Sequence, residues 1–377
     1  MKKSVACLLM AALFLLGACF GYAKEGGKEE FRVAAKAAAL IEPYSGRILY
    51  LQNGDERLPM ASTTKIMTAL SVLLHGSPED RVVIDKAVVG VEGSSIYLEA
   101  GEEMSVEDLL YGLLLRSGND AAEALALYAG KGERASFIGT MNEDARALGL
   151  ENSQFQNPHG LPAAGHYTSA ADLAKISAAA FNQPLFRQIV ASERHTIPWS
   201  THNFDRAMRN KNKMLGLYEG ANGVKTGYTK EAGRCLVSAA ERDGMQLIAV
   251  VLGCPNWWEE SAKLLDYGFA GFEMVEILKG EEPLGTIRVQ GSVESIPVLP
   301  AEGLSIPLGL DEGAQIALNL DEGLRAPIAK GQALGYARVM AGGEEICRVK
   351  LISGEEAFGL LGQLQRGIAE LMRAWLS

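Results

Sequence analysis

The sequence predicts an α+β protein: an antiparallel sheet flanked by helices and split by an α-rich insertion, then a small all-β sandwich and a C-terminal amphipathic helix. Three observations carry this. Strand-like apolar runs stand at Ala37 to Leu51 and again between Ala221 and Gly253. Helical periodicity dominates the stretch between them, from about Val106 to Ala180. From about residue 276 the texture changes to brief β-branched runs punctuated by Gly, Pro and Glu-Gly pairs.

At 377 residues the chain exceeds the roughly 250–300 at which a single core stops growing, so two domains are expected. With 48% hydrophobic and 22% charged residues it has the balance of a globular protein. A formal charge of −10 argues against nucleic acid as a partner.

Taken in order, residues 1–23 read as a signal peptide, with basic Lys2 and Lys3, an apolar run from Val5 to Leu16, and small residues after it. The run is shorter than the ~20 residues of a permanent span. Cleavage after Ala23 competes with a lipobox-like Leu16-Gly17-Ala18-Cys19, in which Cys19 would carry lipid. Either implies export to the extracytoplasmic face of the membrane or the wall.

Residues 31–275 form the expected α+β domain. Ala37 to Leu51 is a hairpin turning through Glu42-Pro43-Tyr44-Ser45-Gly46. A buried helix begins near Ser62, where Ser or Thr caps the run Ile66, Met67, Leu70, Leu73 and Leu74. After the helical insertion, with loops around Asn152 to Gly165, strands resume at 221–228, 234–240 and 246–253. Asp243-Gly244 between the last two is a strong hairpin signal. A helix over Trp257 to Tyr267 closes the unit.

Residues 276–355 make the β sandwich, with runs at 286–289, 295–298 and 336–339. In the tail, 356–377, Leu361, Leu364, Ile368, Leu371, Met372 and Trp375 share one helical face, which suits packing on the β domain or lying in a membrane interface. Beyond Cys7 and Cys19, the cysteines at 235, 254 and 347 read as small buried apolar residues, although two could pair. Five scattered histidines and no HExxH or CxxC give no metal site and no cofactor.

Three short motifs could do chemistry. Ser62 and Lys65, three apart at a helix start, set a hydroxyl beside an amine that can take its proton, helped by burial and by the helix N-terminus. Alone, Ser-x-x-Lys is common. Ser117-Gly118-Asn119 lies on a turn between two helices. Lys225-Thr226-Gly227 ends a strand, offering a cation, a hydroxyl and a close backbone approach. Each has an ordinary reading as a cap or turn, yet the three in this order are hard to obtain by chance.

With these motifs, and the stretches Pro59 to Lys65, Arg116 to Asp120 and Gly223 to Thr229, the chain resembles the low-molecular-mass penicillin-binding proteins, the serine D-alanyl-D-alanine carboxypeptidases with SxxK, SxN and KTG. The resemblance covers nearly the whole chain and implies a β-lactamase/transpeptidase-like first domain. It also favours membrane anchoring by the tail. It implies that Ser62 is the nucleophile, Lys65 its base, and Ser117 a proton relay to the leaving amine. Asn119 would bind Lys65 and the substrate amide, while Lys225, Thr226 and Gly227 would line the place of the terminal carboxylate. The backbone N–H groups of Ser62 and Tyr228 would hold the oxyanion. Peptidoglycan pentapeptide stems are the implied substrates, and β-lactams the inhibitors.

One departure stands out. Some family members place an arginine after the strand that ends here at Gly253, whereas this chain continues Cys254-Pro255-Asn256-Trp257-Trp258. Endopeptidase and β-lactamase activities are neighbouring alternatives, and a penicillin-binding sensor or idle wall-binding protein is the non-enzyme one.

Overall fold

Five antiparallel strands carry the site in the computed structural model, which describes residues 31–376. The leader expected at 1–23, with its Cys19 and Ala23 alternatives, lies outside the described residues. The strands are β1 (Ala37–Ile41), β2 (Ile48–Gln52), β3 (Ala221–Thr229), β4 (Gly233–Arg242) and β5 (Met245–Leu252), in the spatial order β2-β1-β5-β4-β3. Early and late parts of the chain therefore meet, Ala37 facing Leu252 and Ile41 facing Ile248.

Every residue of β5 is buried. Side chains alternate across a strand, and here both faces are covered. Ile248, Val250 and Leu252 join the core that holds the helix Ala170–Phe181, while Leu247 and Leu40 meet Gly268 of the helix Trp257–Gly271. That is why the strand is apolar throughout. The hairpin from β4 to β5 turns on two residues with positive φ, Asp243 at 50° and Gly244 at 78°, the backbone that an Asp-Gly pair favours.

The insertion between β2 and β3 contains helices Lys65–His75, Val106–Leu115, Asn119–Ala129, Arg134–Ala147, Ala170–Phe181 and Pro184–Ala191. Two hairpins inside it, Arg81–Val83 with Glu103–Ser105 and Arg194–Ile197 with Arg206–Arg209, escape the sequence reading. Strands of three and four residues carry too little alternation to register.

A second difference concerns the start of the first helix. Ala61–Thr64 is a 3-10 turn, the α-helix begins at Lys65, and no side chain caps it. The threonine hydroxyls that looked like caps point backward instead: Thr63 Oγ1 donates to Met60 O at 2.7 Å and Thr64 Oγ1 to Ala61 O at 2.8 Å.

The C-terminal β part holds a two-stranded pair, Phe272–Leu278 with Leu304–Gly309, and a five-stranded sheet. The sheet runs in the order Gly285–Arg288, Ser295–Pro300, Glu344–Ser353, Ala333–Ala341, Ala314–Leu320. It has an apolar cluster of its own around Ile296, Val298, Ile306, Leu334, Val339 and Leu351. Arg47, in the turn between β1 and β2, donates to Pro307 O and pairs with Glu312.

The last helix, Leu360–Leu376, leaves Leu364, Ile368, Leu371, Met372 and Trp375 exposed, the last at 90%. Among the described residues no helix is long and apolar enough to cross a membrane. Cys235, Cys254 and Cys347 are free thiols. Burial pushes Cys235 up to about 11 and Cys254 up to about 12, so both stay protonated.

Candidate active site

A 3-10 turn stacks residues i and i+3 one above the other, which sets Lys65 directly under Ser62. The amine Nζ lies 3.2 Å from Ser62 Oγ. It lies 2.7 Å from Asn119 Oδ1 and 2.6 Å from the His159 carbonyl oxygen. Those last two atoms can only accept. A neutral amine has two N–H groups and one lone pair, so with both N–H groups taken the lone pair faces the serine hydroxyl. Lys65 is fully buried, and burial first, then the nearby Lys225 and Lys211 cations, hold its pKa well below the usual lysine range. The lowered pKa favours the neutral amine, and the geometry then leaves its lone pair for the serine hydroxyl.

Asn119 opens the helix Asn119–Ala129 and is tied on every side. Its backbone N–H donates to Ser94 O at 2.7 Å and its Nδ2 to Glu92 O at 2.6 Å. The next residue, Asp120, buried, accepts from the N–H groups of Ile96 and Leu98 and so fixes the 94–98 segment against the helix start. Ser117 precedes this helix with φ +63°, a left-handed conformation uncommon for serine, and is 4% exposed on the cleft wall.

The edge strand β3 supplies the opposite wall. Lys225 and Gly227 are buried, while Thr226 and Tyr228 alternate toward the cleft. A Cβ on Gly227 would stand 3.0 Å from Ser62 N and 3.1 Å from Met60 O, so only glycine lets the strand lie against the Ser62 turn. Lys225 Nζ donates to Thr226 O at 2.9 Å, and burial, then Lys211, lowers its pKa to about 7.

Between the walls lies a cleft of about 680 Å³ that Ser62, Ser117, Thr226, Gly227 and Tyr228 line. The seven residues named by the three motifs are thus brought to one place. Reading the motifs alone misses three contributors. Lys211 enters the cleft wall from the segment before β3, its Nζ donating to Ser94 Oγ at 2.9 Å. Arg234 lines the same cleft from β4, directly opposite Tyr228, and is held by a 2.7 Å bond from Nη1 to Pro255 O. Residues directly opposite in an antiparallel pair share a face, so Arg234 stands on the face of Thr226 and Tyr228. The register of the β3–β4 hairpin was the signal that could have found it.

The third is the loop Asn157-Pro158-His159-Gly160, which presents the His159 carbonyl to Lys65. Gly160, at φ +90°, passes so close to Ala61 that any Cβ would overlap its carbonyl.

The family model for D-alanyl-D-alanine carboxypeptidases matches residues 24–256, and that for the C-terminal domain of penicillin-binding protein 5 matches residues 272–357. The chain is 34% identical over 372 residues to D-alanyl-D-alanine carboxypeptidase DacF of Bacillus subtilis, covering 94% of this chain and 95% of that one. Among solved structures, penicillin-binding protein 5 of Haemophilus influenzae is similar at a TM-score of 0.73 and 31% identity, over 87% of this chain and 98% of that one. The Streptomyces K15 DD-transpeptidase is similar at a TM-score of 0.60 and 37% identity, over 64% of this chain and 98% of that one.

Proposed function

Because the chain belongs to the D-alanyl-D-alanine carboxypeptidase family and is a serine peptidase of that type, we propose that Ser62 attacks the carbonyl between the two terminal D-alanines of a peptidoglycan stem while Lys65 takes its proton. The observation that carries this assignment is the bonding of Lys65, whose acceptor-only partners at Asn119 and His159 leave its lone pair for Ser62 Oγ.

The C–N bond of the terminal peptide link breaks in a second step. Ser117, on the cleft wall, relays the proton to the departing D-alanine amine, and the acyl group stays on Ser62 until water releases it. Negative charge on the carbonyl oxygen falls to the backbone N–H groups of Ser62 and Tyr228, which the close passage of Gly227 brings within reach of one another. Lys225 and Thr226 take the terminal carboxylate.

The arginine absent after Gly253 has a replacement in this reading. Arg234 reaches the same cleft from the neighbouring strand, diagonal to Thr226, a spacing of roughly 7–8 Å that a long side chain spans. It adds a guanidinium for the carboxylate. A β-lactam offers the same carbonyl and carboxylate, and so acylates Ser62.

The leader sequence supports export, and the apolar stripe Leu364, Ile368, Leu371 and Trp375 supports a tail lying in the membrane surface. The deciding assay is release of D-alanine from a peptide ending in Lys-D-Ala-D-Ala, by the wild type and by Ser62→Ala. Release by the wild type alone is expected; equal release by both sinks the assignment.

A further inference from the structure

Lys65 is aimed by two acceptors from different parts of the chain, Asn119 Oδ1 on a helix and His159 O on a loop. Nothing in the three motifs joins those two supports. The structure does. Glu123 follows Asn119 by one helical turn on the same face, and its Oε1 lies 3.0 Å from His159 Nε2. Its other oxygen, Oε2, lies 3.0 Å from Arg134 Nε on the next helix.

The imidazole tautomer follows from its second nitrogen. His159 Nδ1 accepts from the Leu161 N–H at 3.2 Å, so in the neutral ring the proton sits on Nε2 and is donated to Glu123. Arg134 holds the other oxygen of the Glu123 carboxylate. His159 and Glu123 side chains are 7% and 12% exposed, Arg134 46%. Lys65 and His166 are the other titratable groups facing His159, and His166, lowered to about 4 mainly by burial, stays neutral beside it.

We infer that the chain Arg134–Glu123–His159 is a positioning device that clamps the loop carrying the His159 carbonyl to the helix carrying Asn119, and thereby aims Lys65 at Ser62. None of the three lines the cleft. They set the distance between the two acceptors that capture the N–H groups of Lys65. Without the clamp the loop keeps the Thr68 hydroxyl on Pro158 O at 2.6 Å, and its own shape is held by the Gly160 N–H donating to Asn157 Oδ1 at 2.7 Å. The expected loss is therefore in rate, not in folding. A misplacement of about 1 Å in a reacting group costs on the order of 10²-fold.

The inference rests on the Ser62 and Lys65 assignment, and its test separates the two. A fluorescent penicillin counts active sites at its labelling end point, and the labelling rate per site reports acylation. Glu123→Ala should label the same fraction of sites at a rate at least about tenfold lower, with KM for the peptide within about twofold. Glu123→Gln, whose carbonyl can still accept from Nε2, should recover to within about threefold of the wild type. Glu123→Met fills the same space without an acceptor and replaces the alanine variant if that one is unstable.

A purely structural role would lower the labelled fraction and leave the rate per site unchanged, and that result overturns the inference. So does failure of Glu123→Gln to exceed Glu123→Ala. Either outcome together with an inactive Ser62→Ala removes only the clamp, whereas an active Ser62→Ala removes the assignment beneath it.

Discussion

Lys225 offers a test whose sign and size both come from burial. It is 1% exposed, and its pKa falls from the usual 10.5 to about 7, first through burial and then through Lys211. In the unfolded chain the amine is protonated up to the ordinary value. Between about 7 and 10.5 the unfolded chain therefore binds the extra proton, and the folded protein gains stability as pH rises through that window. At roughly 1.4 kcal/mol per factor of ten, the ammonium costs the fold about 5 kcal/mol at and below pH 7 and nothing above pH 10.5. Lys225→Met keeps an unbranched side chain of similar length and removes the charge. Its advantage over the wild type should then shrink by about 2 kcal/mol between pH 7 and pH 9. Urea unfolding of both proteins at pH 7, 8 and 9, followed by tryptophan fluorescence, reads this directly. Lys65, whose pKa the Lys225 cation helps to lower, shifts in the variant as well; groups without a charge contact to Lys225 titrate equally in both proteins and cancel. A difference that stays flat with pH would refute the claim that Lys225 is held in a dry site. The same variant should lose at least about tenfold in kcat/KM for the D-alanine-ended peptide, because the carboxylate loses a cation.

Gly227→Ala places a methyl 3.0 Å from Ser62 N, against backbone that has little room to yield, and acylation by a fluorescent penicillin should slow at least about tenfold; an unchanged rate would remove the close-approach argument. Arg234→Gln should raise KM for the peptide about tenfold with a smaller change in kcat, since it alters binding of a carboxylate and not the attack; equal affinity would return that duty to Lys225 and Thr226 alone. Deleting residues 356–377 should release the protein from membranes, as judged by sedimentation of cell fractions. Continued association would shift the anchor to the N-terminal segment.

The proposed nucleophile and its base are legible in the sequence because the link between them is local. Residues three apart must meet in any helical turn, so Ser62 and Lys65 needed no knowledge of the rest of the chain. The Asp243-Gly244 hairpin is legible for the same reason, the positive φ angles being a property of two adjacent residues. The strand textures and the amphipathic tail follow from periodicity alone.

What the sequence could not yield are the relations between distant segments. Ser62 carries no sign that Gly227 must pass 165 positions later without a side chain, or that Lys65 is captured by a carbonyl on the His159 loop. Carbonyl oxygens are the same in every residue, so no motif can mark one as functional. The same holds for the lowered pKa values of Lys65 and Lys225, which arise from water excluded by elements packed from far along the chain. By itself, then, the sequence determined the class of chemistry and the secondary structure that carries it, both being set by neighbours along the chain. The tertiary structure decided which proton sits where, which arginine faces the cleft, and what holds Lys65 on its target, because burial and distance exist only once the chain has closed on itself.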